Sequence, residues 1–111
     1  MQKYNQGDVV NIEFPNQEDR KKSTYHPAIV VEDLEDEVHL VFMTSKLDKQ
    51  KHYPDSFVVL KSSSEGKLMG LGYDSLICPS RTATLAKIRI FPPPRGKCPD
   101  SMIDELLDLI D

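Results

Sequence analysis

Three histidines, two cysteines and two clusters of basic side chains are the groups through which this chain of 111 residues could do chemistry. A histidine, with an unperturbed pKa of ~6.5, exchanges protons at neutral pH. The spacings of His26, His39 and His52 match no common metal-ligand pattern, and His39 alternates with Val38 and Leu40 as a strand residue does. Cys78 and Cys98 are separated by 19 residues and have no second pair. They suggest neither a zinc knuckle nor a disulfide framework and read as two reduced, buried thiols. No metal or cofactor is expected. The basic clusters are Arg20, Lys21 and Lys22 in one loop and Lys46, Lys49 and Lys51 in another, and these loops flank His26 and Thr44.

The net charge of -4 argues, taken alone, against a nucleic-acid partner. Its distribution argues the other way. Five acids (Asp100, Asp104, Glu105, Asp108 and Asp111) sit in the last twelve residues, and setting them aside takes the net charge from -4 to +1. Setting aside the five in Glu32–Glu37 as well takes it to +6. A basic face on an acidic protein is consistent with these numbers, and so are two ordinary solvated loops.

Strands must position these groups. Val10, Ile12 and Phe14 alternate with Asn11 and Glu13, which predicts a strand over residues 8–14 with one buried face. Pro27 starts the apolar run Ala28–Val31, the acidic Glu32–Glu37 turn reverses the chain, and Val38–Thr44 returns it, so residues 27–44 read as a hairpin. Ser45–Asp55 reads as a long loop, Phe57–Leu60 as a strand, Ser62–Gly66 as a turn, and Gly70 and Gly72 as chain reversal. Asp74–Cys78 and Leu85–Phe91 complete the strands. Pro92–Gly96 reads as an extended polyproline spacer. The one helical stripe, Met102, Ile103, Leu106, Leu107 and Ile110, predicts a helix over residues 99–110 that packs on the strands.

The expected architecture is therefore mainly β: one domain over residues 1–111, a small antiparallel barrel or strongly coiled sheet with a C-terminal helix. A chain of this size buries roughly two-thirds of its unfolded surface, enough for a modest core. The 39% apolar and 29% charged composition is that of a soluble globule. No apolar run approaches the ~20 residues that cross a bilayer, and the polar Met1–Gln6 start lacks the features of a signal peptide. A cytoplasmic location, with no membrane partner, is expected.

The order of the motifs carries a resemblance. Gly7-Asp8-Val9-Val10 opens the first strand, a nine-residue polar loop follows Phe14-Pro15, Tyr25-His26-Pro27-Ala28-Ile29-Val30-Val31 opens the second, and Phe42-Met43-Thr44-Ser45-Lys46 ends the third. This order resembles the MazF/PemK family of bacterial toxin endoribonucleases. Its members begin with a Gly-Asp strand, a loop, an Arg-Pro-Ala-[Val/Ile]-[Val/Ile] strand and a strand ending in Thr-Ser. Here His26 stands where the family has arginine. Asp74-Ser75-Leu76-Ile77, Arg81-Thr82-Ala83-Thr84-Leu85 and Lys87-Ile88-Arg89-Ile90 look like the family's later strands. Without a gap, Thr84 takes the family threonine and Ala83 replaces its arginine; with a small gap, Arg81-Thr82 supply both.

The resemblance implies an SH3-like antiparallel barrel of the MazF/PemK/CcdB type, acting as a homodimer. It also implies sequence-specific, metal-independent cleavage of single-stranded RNA and inhibition by a cognate antitoxin whose tail occupies the RNA groove. In the family the arginine and the threonine after the third strand act at the scissile phosphate, positions held here by His26 and Thr44. On that reading His26 exchanges a proton and the Thr44 hydroxyl binds a phosphate oxygen. His52 and Arg81 are candidate second proton or charge donors, while Lys46, Lys49 and Lys51, with Arg20, Lys21 and Lys22, hold flanking phosphates. Tyr25 and Tyr53 are candidates to stack a base. Two other functions suit the same fold: a module that grips RNA or a protein without cutting, and a gyrase-poisoning toxin.

Overall fold

The fold was taken from a computed structural model that describes residues 2–15 and 23–110. Strands β1 (Asp8–Pro15), β2 (Ser23–Asp33), β3 (Glu37–Thr44), β4 (Phe57–Val59), β5 (Ser75–Ala86) and β6 (Ile90–Lys97) form one sheet in the order β4-β5-β3-β2-β1-β6. Every neighbouring pair is antiparallel. Helices α1 (Ser64–Leu68) and α2 (Asp100–Ile110) complete the chain. No described helix is long and apolar enough to cross a membrane.

The apolar runs in β2 and β3 are continuous because both faces of these strands are covered. Val10, Ile12, Ala28, Val30, Leu40, Phe42, Leu76 and Cys78 point to an inner cluster closed by Tyr4 and Ile90. Their alternating neighbours Val9, Ile29, Val31, Val41, Met43 and Ile77 point outward, where Ile103 and Leu106 of α2 seal them. The stripe expected on the terminal helix is thus spent on the sheet. Register shifts at Val9/Asn11, Val30/Glu32 and Val41/Phe42 add local twist and coil the sheet around the inner cluster.

Four expectations change in detail. The Ser45–Asp55 loop contains a 3-10 segment, Leu47–His52. The Ser62–Gly66 turn opens α1, which the Ser63 hydroxyl caps by accepting from Gly66 N at 3.0 Å; five residues are too few to show a helical period. The strands expected at 74–78 and 85–91 are instead a single long β5 followed by β6. Pairing with β3 carries β5 through the polar stretch from Ser80 to Thr84, where only one face is covered. The Pro92–Gly96 spacer is part of edge strand β6. It pairs with β1 at Ile90, Phe91, Gly96 and Lys97, and the shift between them keeps the prolines out of the ladder.

Two polar devices fasten this sheet. Gly70 (φ +70) turns the chain so tightly against β6 that an added Cβ would lie 2.1 Å from Arg95 O. Arg95 reinforces the contact, donating from Nε to Gly70 O and from Nη1 to Asn11 Oδ1, each at 2.9 Å. At the other end, Lys87 is buried and its Nζ lies 2.8 Å from Asp33 Oδ2 while donating to Gln2 O at 3.1 Å. Lys87 and the N–H groups of Tyr4 and Glu35 hold the Asp33 carboxyl far below the usual carboxylate range.

Leu106 is fully buried between α2 and the sheet. Leu106→Ala is expected to lower the unfolding free energy by about 2–5 kcal/mol. Urea denaturation checks this, and a loss below 1 kcal/mol would mean that α2 does not seal the outer face.

Candidate functional site

His26 lies on β2 opposite Ile12 of β1, and alternation places it on the inner face with Ala28 and Val30. The β2–β3 ladder ends at Ala28 and Phe42. Two residues further along each strand stand His26 and Thr44, on the same face at the same end of the sheet.

Phe42 organises what gathers there. It is 3% exposed, and the half-buried His26 ring packs on it with centroids 4.9 Å apart and planes inclined at 55°. The Arg81 guanidinium covers the same phenyl ring, with Cζ 3.8 Å from the centroid. Such a contact is worth about 1–2 kcal/mol when partly desolvated, and it fixes the guanidinium plane. Arg81 reaches this position through the β5 irregularity: Thr82 pairs with Val41, yet Phe42 pairs with Cys78, so Pro79, Ser80 and Arg81 bulge from the ladder. Arg81 therefore stands at the site, whereas Thr84 pairs with His39 further along and meets its Nδ1 at 2.9 Å.

Burial lowers the pKa of His26, and the charges of Arg81, Lys46 and Lys49 lower it further. The imidazole is therefore neutral at pH 7 and surrounded by cations, a combination that accepts a proton and attracts an anion. Thr44 is 3% exposed, and its hydroxyl accepts from Lys46 N at 3.2 Å. In this arrangement Thr44 anchors the start of the segment that carries Lys46 and Lys49. Lys51 and His52 end the 3-10 segment at exposed positions. Tyr53 packs partly buried against the inner cluster. The expectation for Arg20, Lys21 and Lys22 falls outside the described residues.

Sequence reasoning did not find Phe42, the common support of His26 and Arg81. Its alternation with Leu40 marks it only as core, and the second partner arrives from a bulge 39 positions later. Among the described residues no group of three or more His, Cys, Asp or Glu is arranged to hold a metal ion. Cys78 and Cys98 are free and buried, with thiols pushed up to about 11 and about 12 by burial. Both thiols therefore stay protonated at neutral pH.

Because Arg81 is the foremost charge acting on His26, Arg81→Gln is expected to raise the His26 pKa toward ~6.5, its unperturbed value. Histidine NMR titration of parent and variant measures this. A His26 that titrates alike in both would mean that the guanidinium does not act on it.

Residues 5–111 match the family described as PemK-like, MazF-like toxin of type II toxin-antitoxin system. Comparison with curated proteins returns no match. The family match runs from the turn before β1 through α2, so the strands that place His26, Phe42 and Arg81 all lie inside it. The chain belongs to the PemK-like, MazF-like toxins of type II toxin-antitoxin systems.

Proposed function

We propose that this toxin is a sequence-specific, metal-independent endoribonuclease that cuts single-stranded RNA through attack of a 2'-hydroxyl, with His26 as general base and Arg81 as charge stabiliser. The observation that carries the proposal is a neutral, half-buried imidazole sharing one phenyl ring with a guanidinium. His26 takes the 2'-hydroxyl proton, the 2'-oxygen forms a bond to phosphorus, and the bond from phosphorus to the 5'-oxygen breaks. The products are a 2',3'-cyclic phosphate and, after the leaving oxygen takes up a proton, a 5'-hydroxyl. Arg81 faces the charge that develops on the phosphorane, the role that an arginine fills well and a histidine fills poorly. Lys46 and Lys49 hold the flanking phosphates, and Thr44 fixes the segment that presents them.

The cations that, together with burial, keep His26 neutral also oppose its taking up a proton. A bound phosphate offsets them: its negative charge raises the His26 pKa toward the working pH. The imidazole is therefore unprotonated before substrate arrives and a stronger base once substrate is bound.

Membership of a type II family implies an antitoxin partner and, in general, a dimer. For this chain we further propose a homodimer in the cytoplasm, formed by a domain that spans the chain and inhibited by an antitoxin segment that competes with RNA for the cationic end of the sheet. The lysines of both basic loops, including Lys21, Lys22 and Lys51, together with Arg20, contribute to this attraction without reading sequence.

Primer extension on total RNA treated with the protein should show new, defined 5' ends that persist in chelator. His26→Ala should cut at least about 100-fold more slowly, the scale for loss of a proton-transfer group. The acid limb of kcat/KM should lie below ~6.5, because the free-site pKa is lowered, while that of kcat lies higher. Intact RNA with the parent protein, or parental cleavage by His26→Ala, would defeat the assignment. His26→Arg distinguishes the chemistries: cleavage restored or increased would show that a cation suffices, and loss would show that proton exchange is required.

A further inference from the structure

One edge of the sheet opens onto a groove that the site at His26 does not use. β4 is the last strand on its side and pairs only with β5, through Phe57, Val58 and Val59. Among the described residues no backbone group outside that ladder bonds to these three. α1 follows the strand closely, with Leu60 O accepting from Ser63 N at 3.0 Å, and Met102 of α2 packs with Phe57 and Val59 on the outer cluster. Between β4 and the two helices runs a groove of about 370 Å³, lined chiefly by residues 57–60, Glu65, Met102 and Glu105.

Three properties of this lining point to the same kind of occupant. The free edge of β4 offers backbone groups to which a further strand can bond. Val58 and Leu60 are 37% and 50% exposed, so apolar surface accompanies that edge. The charge is of one sign: Glu65 and Glu105 are exposed in the groove, and no Lys, Arg or His lines it. Lys61 and Lys67 neighbour α1 in sequence but are not part of the lining, and α2 holds no base anywhere in Asp100–Ile110.

We propose that this groove docks an extended segment of a partner protein in which apolar side chains alternate with Lys or Arg, added to the sheet beside β4. Main-chain bonds to β4 set the register, and the period of two sends alternate side chains to opposite faces. Those on the α2 side are the basic ones, with their heads at Glu65 and Glu105 and their stems along Met102. The apolar ones pack on the other face beside Val58, which alternates with the outward Phe57 and Val59. The carboxylates exclude RNA from the groove. They also disfavour a second copy of the chain, because a twofold pair uses one patch twice and would bring two more carboxylates to it. The groove belongs to the outer cluster, so its occupant leaves His26 and Arg81 on the inner face uncovered, and the inference stands independently of the nuclease reading.

The probe is the blocked peptide acetyl-Lys-Val-Lys-Val-Lys-Val-amide, titrated into the isotope-labelled protein and followed by amide NMR. Shifts should concentrate at residues 57–60, α1 and the first turns of α2, and binding should weaken as salt is added. The Glu65→Gln/Glu105→Gln double variant, which changes only exposed side chains, should bind about fivefold or more weakly. Methylating the peptide nitrogens of either the lysines or the valines should abolish binding in one frame and spare it in the other, since alternate amides point to opposite edges of a strand. Equal binding of acetyl-Glu-Val-Glu-Val-Glu-Val-amide, or of a peptide with the lysines and valines in separate blocks, would overturn the proposal. So would binding indifferent to methylation in both frames, or shifts confined to the inner face. Self-association of the parent through β4 that shuts out the peptide would assign the edge to a second copy and overturn it as well.

Discussion

Burial of the β2–β3 pair on both faces is the constraint on which the rest of the molecule depends. A strand pair covered on one face needs one apolar layer, but here consecutive residues such as Ala28, Ile29 and Val30, or Leu40, Val41 and Phe42, face opposite ways and are all buried. Two covers are therefore required. The sheet supplies the inner one by coiling on itself, and α2 supplies the outer one. Near the His26 end the outer cover gives out, leaving Tyr25 exposed. On the inner side the half-buried His26 stands in the same row as Ala28 and Val30.

The site is built from the way the inner cluster ends. Phe42 is the last apolar residue of its row on β3 and offers a ring to whatever approaches that end. His26 reaches it by strand register and Arg81 by a bulge in β5, so two independent backbone features converge on one side chain. In water the field of a guanidinium beside an imidazole would be largely screened by solvent. Half-buried on a phenyl ring, it adds to burial, the main cause, in holding the imidazole's pKa down. An anion entering this space would therefore meet an unprotonated imidazole.

Much of this fold was legible because its main signals are periodic. The alternation of Val10 and Ile12, the Glu32–Glu37 reversal and the stripe from Met102 to Ile110 each report one local geometry, and the structure contains each element. The illegible parts depend on pairing across the chain. Ser80–Thr84 is too polar to read as strand until β3 lies beside it. Pro92–Pro94 belongs to a strand only because a register shift frees those residues from the ladder. Lys87 looks like a surface lysine and is instead buried against Asp33. At the site, motif order pointed to His26 and Thr44, but the role of Thr44 as a loop anchor and the choice of Arg81 over Ala83 follow from coordinates.

Charge illustrates the same distinction between totals and placement. A chain of net charge -4 is a poor candidate for RNA binding if its charge is treated as uniform. The β2–β3 hairpin separates the signs instead: the acidic Glu32–Glu37 turn closes one end, while His26, Lys46, Lys49 and Arg81 gather at the other. The eight residues of β3 hold those ends roughly 25 Å apart. That separation is about three times the screening length of ~8 Å at physiological ionic strength, so the acids barely oppose an anion at the cationic end. Asp33 within the turn is further neutralised by Lys87. The length of one buried strand thus converts an acidic composition into a locally basic site.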